Sequence, residues 1–387
     1  MNLTSTKNWK TVKLGDVASI QTGPFGSQLH ESDYVQEGVP MITVEHLVND
    51  KISHAANIPK VSSGDVQRLI RYTLETGDIV FSRVGSVDRL GLVSESENGW
   101  MFSGRLLRVR PHNIDSRFAY YALANPRNKE HIRKIAVGAT MPSLNTKLLS
   151  GVPLMIPESI DEQREIADIL GCLDDKIELL RNENKTLEAI AQTLFKEWFV
   201  DFNFPGATGK MTDSEIGQIP KDWRVRKLES ITEITSGKRP QNISEKQNKD
   251  FNYPLIGASS VMGYVSDFLF DQEIFVIGRV GTHGIIQRFT EKIWPSDNTL
   301  VLYSKYPEFL YQILKSINFE SLNKGAVQPL ITQGDMKSFK IISPSEEIIL
   351  EYERITGVFS SKLKINNTEI QTLSKLRDEL LNKIFSK

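Results

Sequence analysis

The chain has 387 residues, 40% of them hydrophobic and 25% charged, a balance that predicts a globular protein of two or three domains. No apolar run approaches the roughly 18 residues needed to span a bilayer, and the first residues form no apolar secretory stretch, so the sequence predicts a cytoplasmic protein with no membrane role. The net charge of −1 excludes a general attraction to phosphates, and the single cysteine, Cys172, excludes an intrachain disulfide or a cysteine-rich zinc site.

Short apolar runs bounded by turn formers open the chain. Gly38-Val39-Pro40-Met41-Ile42-Thr43-Val44 and Asp78-Ile79-Val80-Phe81 read as strands, and Phe118–Leu123 reads as a helix. Residues 163–199 follow as one long helix, roughly 55 Å at the helical rise. Cys172 lies in that helix with no histidine near it in sequence, and reads as a small buried side chain, not a nucleophile. Residues 201–222 read as a linker. Strand-like runs then resume, Pro307–Leu314 reads as a helix with proline in the permitted first turn, and a second long helix closes the chain.

The second half repeats the first. Trp9, Lys13, Leu14, Ile20 and Gly23 recur as Trp223, Lys227, Leu228, Ile234 and Gly237. The run Gly77–Gly85 resembles Gln272–Gly281, with Arg83 matching Arg279 and Gly85 matching Gly281. Gly138, Pro142 and Pro157 recur as Gly325, Pro329 and Pro344, and Lys176, Thr186, Leu187 and Phe199 as Lys362, Thr372, Leu373 and Phe385. The order never breaks and the separation shrinks in steps, as it does for two copies of one unit with loops of unequal length. The expected fold class is α+β. Two mixed α/β globular parts, residues 1–160 and 223–344, alternate with long helices at 161–200 and 345–387 in a pseudo-two-fold internal repeat.

In the first helix the positions Ile166, Leu170, Leu173, Ile177, Leu180, Asn184, Leu187, Ala191, Leu194 and Trp198 step alternately by four and three. The copy continues the pattern at Phe359, Leu363, Asn366, Ile370, Leu373, Arg377, Leu380 and Ile384. A narrow seam of this length predicts that the helices pair with each other as a coiled coil, not that each packs on its own domain alone. A two-fold axis across them makes the pair antiparallel. Asn184 then faces Asn366, Leu180 faces Ile370, Leu187 faces Leu363 and the small Ala191 faces Phe359. Leu173 opposite Arg377 opposes this register unless Arg377 reaches out to Asp174 or Asp175.

Catalytic constellations are missing. Gly206-Ala207-Thr208-Gly209-Lys210 lacks the spacing and the following hydroxyl of a phosphate loop. No Asn/Asp-Pro-Pro-aromatic motif of an amino-methyltransferase is present. His30, His46, His54, His112, His131 and His283 are scattered, without metal-ligand spacing, so no metal site is expected. Pro157-Glu158 with Asp174-Asp175-Lys176 formally fits a nuclease pattern, but that chemistry needs both elements on adjoining strands, and the second lies on the heptad helix.

Two variable globular parts, each followed by a long helix, resemble the specificity subunit of bacterial type I restriction–modification systems. The phrases that carry the likeness are Trp9-Lys10-Thr11-Val12-Lys13-Leu14-Gly15-Asp16-Val17, Gly77-Asp78-Ile79-Val80, Gln163-Arg164-Glu165-Ile166-Ala167-Asp168-Ile169-Leu170 and Ile216-Gly217-Gln218-Ile219-Pro220-Lys221-Asp222-Trp223. The second helix departs from the pattern, opening with Leu350-Glu351-Tyr352-Glu353. The resemblance implies that each globular part is a target-recognition domain reading half of a bipartite site in double-stranded DNA. It further implies that the helices act as spacer and dock two methyltransferase subunits. S-adenosylmethionine, ATP and Mg²⁺ then belong to the methyltransferase and restriction/motor subunits; this chain is expected to bind no cofactor and to have no catalytic residue. An adaptor whose globular parts bind other ligands stands as the alternative.

Arg83 and Arg279 are the first candidates for DNA contact. Each follows a strand-like run and precedes a glycine, and arginine can clasp guanine or phosphate; a surface ion pair is the alternative. The matched loops Gly23–Gln28 and Gly237–Asn242 contribute Ser27, Gln28, Lys238, Arg239, Gln241 and Asn242, with amides suited to adenine, though plain connecting loops would look the same. Around Ser143, Asn145 and Lys147, and around Gln328, Thr332 and Gln333, backbone phosphate contacts are expected. His283 reads equally as a contact or a turn residue.

Overall fold

The computed structural model describes residues 9–54, 57–279, 284–319 and 330–385. It divides into two compact units: residues up to Leu180 together with those from Glu369 onward, and Arg181–Thr368. Each long helix therefore contributes to both units.

In the first unit a four-stranded antiparallel sheet runs in the order Ala18–Thr22, Leu106–Pro111, Ile79–Ser82, Leu90–Leu92. A smaller sheet pairs Val39–Ile42 parallel with Met101–Phe102 and antiparallel with Lys60–Val61. Trp9–Lys13 pairs with Pro153–Pro157. The second unit repeats this in order and direction. Its main sheet runs Glu233–Ser236, Thr299–Tyr303, Ile274–Gly278, Ile286–Phe289. Tyr253–Ile256 again takes one parallel partner, Trp294–Pro295, and one antiparallel, Val261–Val265. Arg224–Lys227 pairs with Lys340–Ser343.

The uninterrupted apolar runs follow from burial on both faces. Ile79 and Phe81 enter one core with Leu107 and Phe118, while Val80 enters another with Met41 and Leu106. Likewise Phe275 and Ile277 face Leu300 and Phe309, and Ile274 and Val276 face Ile293 and Val301. An aromatic joint ties a helix end to each globular part. Trp9, Phe118 and Phe385 have ring centroids 5.6–6.2 Å apart. Phe199 sits 5.9 Å from Trp223 and 4.8 Å from Phe309.

The long helices are Ile160–Phe199 and Glu346–Phe385. Within the first unit Arg377 reaches Asp174 at 2.9 Å and Lys176 lies 3.6 Å from Glu369. Within the second, the Asn366 amide donates to Asn184 Oδ1 at 2.8 Å, and the Tyr352 hydroxyl donates to the Ala191 carbonyl at 3.0 Å. In both units rising numbers on one helix meet falling numbers on the other, so the segments run antiparallel. Ile177, Leu180 and Asn366 are buried; Leu173, Asn184, Leu187, Ala191, Leu363, Ile370 and Leu373 are half-buried. Arg377 escapes the seam by its ion pair with Asp174, which accommodates the Leu173 position. Burial disfavours its charge, but the hydrogen bonds it donates to Asp174 and Asp378 outweigh this and raise its pKa.

Two readings change. Cys172 is exposed, not buried, because it precedes Leu173 and falls off the seam. The 201–222 segment folds in part as a hairpin, Met211–Ser214 with Gly217–Pro220, closed by Glu215-Ile216 and a left-handed Gly217 at φ 108°. Its first strand is largely exposed and polar, so it carried no apolar signal.

Candidate nucleic-acid interface

Main-chain hydrogen bonds gather the same loops at the end of the central strand in both units. In the first, Arg83 N donates to the Arg105 carbonyl (2.9 Å), Leu144 N to the Arg83 carbonyl (2.8 Å) and Gly23 N to the Leu106 carbonyl (3.2 Å). In the second, Arg279 N donates to Asn298 (2.9 Å), Ile331 N to Arg279 (3.1 Å) and Gly237 N to Thr299 (3.2 Å). Arg83 and Arg279 therefore occupy equivalent places. The two glycines are required by close approach: a Cβ on Gly23 or Gly237 would lie 2.2 Å from the carbonyl oxygen of Ser103 or Ser296.

The two guanidinium groups are held differently. Arg83 Nη1 donates to the Gly104 carbonyl at 3.1 Å, and its Cζ lies 5.8 Å from the Phe25 ring centroid; no acidic side chain of the described residues pairs with it. Arg279 Nε is buried and has no hydrogen-bond partner among the described residues, leaving a donor whose desolvation is uncompensated there.

Ser27, Lys238, Arg239, Gln241 and Asn242 are exposed on the first loops. Gln28 works as an anchor: its Oε1 accepts from the Tyr72 hydroxyl at 2.9 Å and its carbonyl from Arg68 at 2.9 Å. Asn145 caps the Thr146–Ser150 helix, Oδ1 accepting from Leu148 N at 2.9 Å, while Lys147 on that helix is exposed. Ser143 donates to the Val137 carbonyl, Thr332 caps Gln333–Ser338, and Gln333 donates to the Ile234 carbonyl. His283 and Gln328 lie outside the described residues.

Exposed Arg105 and Asn298, at matching places beside the two arginines, escaped the sequence reading. Their only signal is position: each immediately precedes a matched strand. Three of the formal nuclease residues are engaged structurally. Asp174 accepts from Tyr121 and Arg377, Asp175 pairs with Arg117 and Lys176 with Glu369. No acidic, His or Cys cluster suited to a metal occurs among the described residues.

The helix openings are also explained. Buried Gln163 accepts from Asp115 N at 2.9 Å and donates to the Pro157 carbonyl at 2.9 Å. In the second unit Glu353 takes over a similar tie, accepting from Phe309 N at 2.7 Å and Glu308 N at 3.2 Å and so capping the Pro307–Ser316 helix. Burial pushes its carboxyl up to about 7, against the opposing pull of those N–H donors. Tyr352 and Thr356 are buried beside it.

Duplicated loops on duplicated mixed α/β parts, joined to paired helices, define a protein built from two copies of one unit. The chain matches the type I restriction modification DNA specificity domain over residues 6–189 and 220–375, and it belongs to that family. Among its relatives is the type I restriction enzyme MjaIX specificity subunit of Methanocaldococcus jannaschii, 25% identical over 98% of this chain and 93% of that protein. The HindI specificity subunit of Haemophilus influenzae is 23% identical over 98% and 99%. The crystal structure of a type I restriction–modification S subunit from M. genitalium shares the fold with TM-score 0.66 at 16% identity, covering 98% of this chain and 96% of that one.

Proposed function

We propose that the two globular parts each read one half of a bipartite target in double-stranded DNA, and that the chain supplies specificity, not catalysis, to a type I restriction–modification complex. The observation that carries this is the recurrence of one loop arrangement around Arg83 and Arg279. Arginine is the commonest base-edge reader, and the exposed Lys238, Arg239, Gln241, Asn242, Ser27 and Lys147 supply further polar contacts to bases or phosphates. Two modest readers joined in one chain bind as one strong reader.

The exposed outer faces of the long helices support the reading of the partners. Cys172, Leu179 and Ile190 are exposed off the seam, and their counterparts Val358, Ile365 and Leu376 are exposed too. Equivalent apolar stripes on the two copies fit two identical partners, the methyltransferase subunits, with restriction/motor subunits joining them. S-adenosylmethionine, ATP and Mg²⁺ are bound by those subunits. With a net charge of −1, the chain relies on them for part of its DNA affinity. The test is selection from a random double-stranded library by the chain with its methyltransferase. A motif of two short blocks separated by a fixed unspecified gap is expected; enrichment of no split motif overturns the proposal.

A further inference from the structure

Phe25 is a large aromatic side chain left 56% exposed at the tip of a loop that is otherwise tightly held. Gly23 and Gly104 press their backbones against Ser103 and Pro24 with no room for a Cβ. The Phe25 carbonyl accepts from Gln28 N (2.8 Å) and Leu29 N (3.2 Å), and Gln28 is pinned by Tyr72 and Arg68. Such restraint orders the tip before any partner arrives and lowers the cost of binding. The Arg83 guanidinium lies over the Phe25 ring, with Nη1 tied back to Gly104. The matched loop of the second unit carries Arg239 at the corresponding place after its glycine.

Resting on the reading of this chain as a bipartite DNA reader, we propose that Phe25 is a specificity-determining residue that contacts the C5-methyl group of a thymine in the half-site read by the first unit. Arg83 then reads the neighbouring base through its nitrogens other than Nη1. An apolar side chain tells thymine from cytosine by that methyl group, which projects into the major groove. Arginine reading of guanine takes place in the same groove, so one approach serves both residues. The second unit, with Arg239 in place of the ring, has no such methyl reader.

The test substitutes deoxyuridine, which lacks only the methyl group, for each thymine of the selected site in turn. Binding is measured with the chain and its methyltransferase. For the wild-type chain, one thymine in one half-site is expected to weaken binding roughly five- to tenfold, in the range of a lost base contact. The Phe25→Ala chain should bind thymine and uracil there equally, while sensitivities elsewhere in the site stay unchanged. Phe25→Leu should keep part of the effect. If the wild-type complex selects a bipartite site but Phe25→Ala leaves every uracil effect and every base preference intact, this inference is overturned and the bipartite reading survives. If no bipartite site is selected at all, the underlying reading fails first.

Discussion

At the scale of single residues, the equivalent places of Arg83 and Arg279 were legible because the strand-like run before each of them recurs in the sequence. Phe25 and Arg105 were not, since nothing in their neighbours tells a rigid tip from an ordinary loop. Replacing Arg83 with Ala should relax base preference in one half-site, and replacing Arg279 should relax the other, each costing about 1–3 kcal/mol; motif profiling of the two variants checks this. Glu353 was also invisible, because the helix it caps lies far from it in sequence. Its folded carboxyl keeps a proton to about pH 7, whereas the ordinary value is 4.5. Its stabilising contribution is therefore full below about pH 4.5 and is lost as pH rises through 7. Denaturant unfolding should show a decline on the order of 2 kcal/mol across that window. Glu353→Gln, which retains an acceptor for Phe309 N, should flatten the slope; an unchanged slope would assign the pH dependence to other groups.

At the scale of elements, the heptad seam was the most readable feature, because its period depends on side-chain type alone. The Asn184–Asn366 hydrogen bond and the Arg377–Asp174 pair could be anticipated for the same reason. The polar hairpin at 211–220 could not, since exposed strands lack apolar alternation. Leu180→Ala in the seam should cost about 2–4 kcal/mol, measured by chemical unfolding. Asn366→Ala alone should destabilise by roughly 1–2 kcal/mol, because it strips Asn184 and Glu183 of a shared donor. Asn184→Leu with Asn366→Leu should be neutral or stabilising while loosening register, read from cysteine cross-linking between the helices.

At the scale of the whole molecule, the internal repeat made the duplicated architecture legible; the matching parallel and antiparallel strand pairs appear only in the fold, because short apolar runs do not say which strands meet. The net charge pointed away from DNA, because local presentation of a few cations is invisible in a sum. Inserting one heptad in each long helix, roughly 10 Å of helix, should change or abolish the preferred gap between the half-sites while leaving both half-sites recognisable. An unchanged gap would remove the helices from the role of spacer.

The central claim is that two equivalent readers in one chain recognise two separate blocks of bases. Methylome sequencing of cells carrying the complex with wild-type, Arg83→Ala or Arg279→Ala chain tests it most directly. One gapped motif is expected for the wild type, with relaxation confined to a different block in each variant. A continuous motif, or two variants that relax the same block, would contradict it.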